Sequence, residues 1–153
     1  MIEINNLTKT RIEEKRLKQA AEAALEEIKK PLGLARGKEA EVSLALVGGK
    51  RMRALNKTYR GKDKPTDVLS FSQIERGKKF VKAPEKIIRL GEVVVCLPVA
   101  RKQAKRSKHS LLKELIILLI HGILHLAGYE HERSAREAKK MEKTQSKIME
   151  IIK

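Results

Sequence analysis

The sequence predicts an α+β fold in one domain, residues 1–153, with about four strands in a mixed sheet packed with about five helices. The length suits one hydrophobic core. Apolar residues recur at helical spacing in some segments and at strand spacing in others, and the two kinds of segment alternate along the chain. No glycine-, proline- or serine-rich linker divides them, and 41% hydrophobic with 35% charged residues is typical of a globular protein.

The first two elements are a short strand at 2–4 and a helix at 11–30. The strand is predicted by the alternation of isoleucine and glutamate in IEI, and the helix by an apolar stripe at helical spacing. Thr10 is the predicted N-cap of this helix, because a threonine hydroxyl can accept from a first-turn N–H group. Pro31 and Gly33 are its predicted end.

The middle of the chain predicts two strands and a short helix. EVSLALV at 41–47 alternates apolar residues with smaller or polar ones, as strands do. A glycine pair then turns the chain into a short helix that carries Met52 and Leu55. The apolar run Val68 to Phe71 predicts the next strand, and the charged segment 73–86 predicts an exposed loop.

The last third predicts one buried strand and three helices. The β-branched run in LGEVVVCLP, 90–98, predicts the strand, and Pro98 begins a helix that runs through Gln103. Ser110 is the predicted N-cap of a long apolar helix, which charged and histidine side chains interrupt too often for a membrane span. An amphipathic helix closes the chain, with these residues inward: Met141, Ile148, Ile152.

The charge predicts a polyanionic partner. Lysine and arginine exceed aspartate and glutamate by 16, and the pI is about 10.1. Thermophilic adaptation would enrich both signs, so nucleic acid is the favoured explanation, with no membrane partner expected. Two Tyr, two Phe and no Trp make extensive base stacking improbable, and phosphate contacts are expected to dominate. Cys96 is a lone cysteine and no export signal is recognisable, so the expected compartment is the cytoplasm.

Three of the four histidines lie in HGILHLAGYEH, 121–131. On a helix, His121 and His125 are one turn apart on one face. Gly128 stands where a helix often ends with positive φ, a turn that can bring His131 to the same point. Three neutral imidazoles would hold one zinc ion and leave a coordination position open for water, as in catalytic zinc sites. A histidine pair at this spacing alone can be coincidence, and the third histidine favours metal binding.

The spacing His-x-x-x-His-x-x-Gly-x-x-His is similar to the zinc-binding helix of metzincin proteases. In those enzymes a glutamate follows the first histidine and acts as general base. Here that position is Gly122, so a protease is a weak interpretation although the metal site remains.

The chain resembles the YbeY family, bacterial zinc-dependent endoribonucleases involved in rRNA maturation. Two separated blocks carry the resemblance, LNKTYRGKDKPTDVLSF at 55–71 and HGILHLAGYEH at 121–131. LGEVVVCLP between them is similar to the family's central strand, and the resemblance runs over most of the chain in the same order.

The resemblance implies a site of four residues. His121, His125 and His131 would hold one Zn²⁺, and Arg60 would be the basic residue required for RNA processing, catalytic together with His121. An arginine fork can bind a phosphate through two hydrogen bonds, although without the motif Arg60 would be interpreted as a solvated turn residue.

The implied activity is zinc-dependent, single-strand-specific endoribonucleolytic cleavage in 16S rRNA 3′-end maturation and ribosome quality control. The expected partners are precursor 16S rRNA and the small ribosomal subunit, with no DNA. Two alternatives stay open: a zinc metallohydrolase of another class, such as a metzincin-like protease, or a non-catalytic ribosome-binding factor.

The chain departs from the family's pattern at two positions. Glu130 stands where the family usually has Asp, and Ser72 stands where it usually has Pro. Glu130 keeps a carboxylate that could orient a metal ligand, and Ser72 is expected to alter only the strand exit. In the first block, Lys62 and Lys64 could contact phosphate or only water, and Asp67 could be a turn or cap residue.

Overall fold

The computed structural model describes residues 1–34, 36–74, 85–129 and 134–153. Its elements in chain order are β1 (Ile2–Asn6), α1 (Glu14–Leu32), β2 (Glu39–Val47), α2 (Gly49–Arg60), β3 (Val68–Ser72), β4 (Ile87–Cys96), α3 (Leu97–Arg106), α4 (Leu111–Leu126) and α5 (Ala135–Ile151). The strands form one mixed sheet in the order β1-β2-β4-β3. Strands β1, β2 and β4 are parallel, and β3 is antiparallel to β4. The predicted α+β fold in one domain is confirmed, with four strands and five helices among the described residues.

Both faces of the sheet are covered by helices. Along β2, Leu44 and Leu46 belong to the larger apolar core that α1, α4 and α5 complete. Ala45 and Val47 alternate with them and belong to a smaller cluster that Met52 of α2 covers. Helices α2 and α4 therefore lie on opposite faces, and both reach the edge strand β3, where the candidate site forms.

The prediction that Thr10 caps α1 is wrong. The helix begins at Glu14, and its N-cap residue makes no capping hydrogen bond from its side chain. Asn6 instead accepts from the Thr8 N–H and donates to the Thr10 carbonyl, and the Thr8 hydroxyl accepts from the Thr10 N–H. These local side-chain bonds hold residues 6–10 in a turn and delay the helix.

Other observed helix and strand boundaries differ from the predicted ones by a few residues. Pro31 lies inside the last turn of α1, and Gly33, with φ of 71°, is its C-cap. Strand β4 begins at Ile87, three residues before the predicted start, because Ile88 and Leu90 are buried along with the β-branched run. Most of the predicted loop 73–86 lies outside the described residues.

No individual helix among the described ranges is long and apolar enough to cross a membrane. Helices α3 and α4 meet the requirement of length and hydropathy only as a pair, and they are bent by 114° relative to each other.

Candidate functional site

Helix α4 presents two histidines to one point. It begins at the predicted cap, where the Ser110 hydroxyl accepts from the Lys113 N–H at 3.1 Å. Because α4 packs its apolar residues into the larger core, its orientation is fixed by burial rather than by the histidines. His121 and His125 are half-buried near its end, and their Nε2 atoms are 3.0 Å apart.

This pair fits a single metal ion. Two imidazole nitrogens on a tetrahedral zinc, each at about 2.0–2.1 Å, lie roughly 3.3 Å apart, close to the separation observed here. The ring centroids are 4.5 Å apart with the planes inclined by 72°, so both Nε2 atoms can face one ion without ring overlap. The donor set is the imidazole type that zinc prefers.

The third predicted ligand, His131, and its neighbour Glu130 lie outside the described residues. Gly128 has the predicted positive φ, 96°, directly after the helix, so the chain does turn there. Within the described ranges no group of three or more His, Cys, Asp or Glu side chains could hold a metal. The three-histidine site therefore stays a prediction, with its first two members brought together by α4.

Arg60 also lines the pocket that His121 and His125 line, and it is the last residue of α2. Its Nη2 donates to the Ser70 carbonyl of β3 at 3.0 Å, and its Nη1 donates to the Tyr59 carbonyl at 3.3 Å. Its Cζ lies over the Phe71 ring, 5.4 Å from the centroid. The guanidinium is exposed, yet strand β3 holds it in place.

Ser70 joins the two halves of the site, and sequence analysis missed it. Its carbonyl accepts from Arg60, and its hydroxyl donates to the Gly122 carbonyl of α4 at 3.2 Å. In the predicted strand VLSF, the only sequence pattern that bears on Ser70 is the period-two alternation of the strand. That alternation cannot identify which helix a strand side chain will contact.

The two halves enclose one open cavity of about 580 Å³. Its lining includes Arg60, Asp67, Ser70, His121 and His125, so both quoted blocks, distant in the chain, form the same pocket. A cationic fork and a pair of potential metal ligands therefore line one cavity, which is large enough for a phosphate and its neighbouring sugars.

Asp67 acts as the turn residue before β3. One carboxylate oxygen accepts from the Val68 N–H at 2.8 Å, and the other accepts from the Gln103 amide of α3 at 3.2 Å. The Asp67 carbonyl also accepts from the Cys96 N–H. These bonds fix the start of the strand that carries Ser70.

The loop between α2 and β3 is anchored by Asn56, a buried residue that sequence analysis did not single out. Its amide donates to the Lys64 carbonyl at 2.8 Å, and its own carbonyl accepts from the Lys62 N–H at 3.3 Å. Arg53 and Asp63 form a surface ion pair at 2.8 Å, and the hydrogen bond from this guanidinium lowers the pKa of the carboxyl. Lys62 and Lys64 are exposed on this loop.

Helix α4 packs closely on the sheet at Gly122, which lies between the two histidines in the sequence. A Cβ there would lie 2.5 and 2.9 Å from the two methyl carbons of Val93 and 3.3 Å from the Ser70 hydroxyl oxygen. Val93 is fully buried and β-branched, so it cannot swing aside. Packing therefore closes the position at which a metzincin carries its glutamate, and no carboxylate fits there without moving the helix off the sheet.

Comparison with known proteins identifies the family. A family model described as Endoribonuclease YbeY matches residues 3–153. The chain belongs to the YbeY family. The Endoribonuclease YbeY of Persephonella marina is 46% identical over 73% of this chain and 70% of its own length. That of Aquifex aeolicus is 39% identical over 94% of this chain and 86% of its own length.

A solved structure has a similar fold. The solution structure of TM1509 from Thermotoga maritima matches with a TM-score of 0.64 and 34% identity, covering 99% of this chain and 89% of the other. The resemblance to the YbeY family predicted from the two sequence blocks is confirmed. Membership supports an endoribonuclease role, a hydrolase acting on RNA, for this chain.

Proposed function

We propose that this chain is a zinc-dependent endoribonuclease that cleaves single-stranded RNA in the cytoplasm. Its proposed substrate is precursor 16S rRNA on the small ribosomal subunit, in 3′-end maturation and ribosome quality control. The observation that carries the proposal is the pocket that Arg60, His121 and His125 line together. The excess of 16 positive charges supports a polyanionic substrate.

In this proposal, one zinc ion is held by His121 and His125, with His131 as the third ligand by the family motif. The 3.0 Å between the two Nε2 atoms supports their sharing one ion. When bound, zinc supplies Lewis acidity and a hydroxide nucleophile at neutral pH. The protein's part is to hold both rings on a helix whose position is fixed by the core, so that no reorganisation is required when RNA binds.

Arg60 binds the phosphate that is cleaved and stabilises the negative charge that gathers on its oxygens. The guanidinium carries more N–H groups than its bonds to the Ser70 and Tyr59 carbonyls use. Those carbonyls hold the planar fork in position before substrate arrives. Lys62 and Lys64 lie on the adjacent loop, where they add positive charge for neighbouring phosphates.

The two alternative functions are weaker. A protease would require a carboxylate at Gly122, where even a Cβ collides with Val93. A ribosome-binding factor without catalysis would have no use for two imidazoles 3.0 Å apart in the cavity that a fixed arginine also lines.

The test combines metal analysis with cleavage of precursor 16S rRNA by the purified chain. His121→Ala is expected to lose bound zinc and cleavage together. Arg60→Ala is expected to keep zinc and lose at least about 10²-fold in cleavage rate, the effect of removing one preorganised charge stabiliser. Arg60→Lys should recover little, because an ammonium lacks the planar fork. Arg51→Ala, on the exposed face of the same helix, is the matched control and should retain cleavage.

Three outcomes would contradict the proposal. Cleavage that persists in His121→Ala would remove the metal assignment. Hydrolysis of peptides or small molecules with no RNA product would favour the other hydrolase class. RNA affinity that survives chelation, with no product under any metal, would favour the binding factor.

A further inference from the structure

The ring of Tyr59 is exposed, next in the chain to Arg60, which lines the pocket. Its exposed fraction is 58%, in a chain that has only two tyrosines, two phenylalanines and no tryptophan. The exposed face of the ring does not contribute to the core. Any polar residue would serve equally well at a solvated position in the last turn of α2. The exposed face therefore requires an explanation of its own.

The exposed ring is held in a defined orientation. Its centroid lies 5.1 Å from that of Phe71, and the planes are inclined by 70°, an edge-to-face arrangement. Phe71 belongs to β3 and is paired with Glu92 in the sheet, so the ring beneath Tyr59 is fixed by the strand. An aromatic surface that is rigid before binding loses little entropy when a flat ligand stacks on it.

Tyr59 is also adjacent to the proposed phosphate ligand. Arg60 follows it in the chain and lies over the same Phe71 ring, 5.4 Å from the centroid. Two groups supported by one ring are close enough for a single nucleotide to reach both, with its phosphate on the guanidinium and its base on the tyrosine. Lys57 and Lys62 are exposed and lie on either side of Tyr59 in the sequence.

We propose that Tyr59 is a stacking platform for one unpaired nucleobase next to the phosphate that is cleaved. This inference rests on the proposed function and deepens it. A base within a duplex is stacked on its neighbours on both faces, so it cannot cover the ring without being flipped out. A platform beside Arg60 would therefore favour single strands, and it is sequence-tolerant because every base has a flat face.

The experiment uses tyrosine fluorescence, because the chain has no tryptophan. Tyr129→Phe leaves Tyr59 as the sole tyrosine and so as the reporter. This protein is titrated with a short single-stranded oligonucleotide with 2′-O-methyl sugars, whose integrity is checked on a gel afterwards. The comparison ligand has the same length and charge but lacks bases. Quenching is expected with the base-containing strand and little or none with the abasic strand.

Affinity measurements separate stacking from packing. Tyr59→Ala is expected to weaken binding of the base-containing strand by about 5- to 150-fold, the usual range for one base on an aromatic ring. It should leave binding of the abasic strand unchanged. Tyr59→Phe is the matched control that keeps the ring and should bind as the unmodified chain does. Tyr59→Leu keeps an apolar contact with Phe71 and should behave like Tyr59→Ala.

The outcomes are distinguishable from a failure of the proposed function. Two results would show that Tyr59 only supports Phe71 and Arg60, and either would overturn the inference. One is an equal loss of affinity of Tyr59→Ala for the base-containing and the abasic strand. The other is full affinity of Tyr59→Leu for the base-containing strand. If Tyr59→Ala changed neither cleavage of precursor rRNA nor binding, the inference would be overturned and the proposed function would stand. No binding and no cleavage by the unmodified chain would overturn the proposed function with it.

Discussion

Replacing Gly122 by alanine is expected to destabilise this protein, although alanine is the better helix former. In the structure a Cβ at this position would lie 2.5 and 2.9 Å from the Val93 methyl carbons. Carbon atoms in van der Waals contact are about 3.5–4.0 Å apart, so either the helix or the strand must move. The residue stands between the two histidines, and any displacement of α4 there moves His121 relative to Arg60.

The magnitude follows from two opposing effects. Overpacking a well-packed core costs about 1–3 kcal/mol, and two contacts far below normal separation favour the upper half of that range. Alanine recovers about 1 kcal/mol over glycine in a helix interior. The net loss in the free energy of unfolding is therefore about 1–2 kcal/mol. For a chain of this size that corresponds to a fall in Tm of about 2–8 °C.

The assay is urea and thermal denaturation followed by circular dichroism, with Gly49→Ala as the matched control. Gly49 is also helical, but nothing lies within 4 Å of its Cβ position, so the same substitution there should be neutral or slightly stabilising. Val93→Ala removes both colliding methyl groups. The double variant Gly122→Ala/Val93→Ala should therefore show a favourable coupling energy of about 2–3 kcal/mol, because only the overpacking is relieved and the helix preference of alanine is present in both backgrounds.

A rise in Tm for Gly122→Ala comparable with that of Gly49→Ala would refute the close approach of α4 to β4. Additivity of Gly122→Ala and Val93→Ala would refute the named contact. Either result would also remove the packing argument against a glutamate at this position.

Three further changes test the supports of the site, each followed by urea denaturation. Asn56→Ala leaves the Lys64 carbonyl without its donor and should cost about 1–3 kcal/mol, with loss of RNA cleavage as the loop is released; full stability would contradict the anchor. Ser110→Ala removes the cap of α4 and should cost about 1 kcal/mol, whereas Ser107→Ala, which removes no capping side chain, should cost little. Burial raises the pKa of the Cys96 thiol, so the folded chain holds this proton more tightly than the unfolded chain and stability is lost as pH rises above about 8.5. The free energy of unfolding of the unmodified chain should exceed that of Cys96→Ala by less above that pH than below it. A difference that stays constant with pH would contradict the effect of burial on this thiol.

Local patterns predicted what depends on neighbours in the chain. The helical repeat alone places His121 and His125 on one face, and a serine before an apolar run capped α4 as expected. The prediction at Thr10 failed for an equally local reason. The side chains of Asn6 and Thr8 form hydrogen bonds with the backbone that compete with the start of a helix. The preference of threonine for N-cap positions does not include the energy of such competing bonds.

The sequence by itself determined the fold class, the spacing of the histidines and, through two blocks of residues, the family. Only the tertiary structure decided that Arg60 and His121 line one pocket, that Ser70 links α2 to α4, and that Val93 closes position 122. Repeats within one helix or strand follow from backbone geometry, which every residue shares. Contacts between elements depend on how whole faces pack around the core, and the same apolar pattern permits many such arrangements.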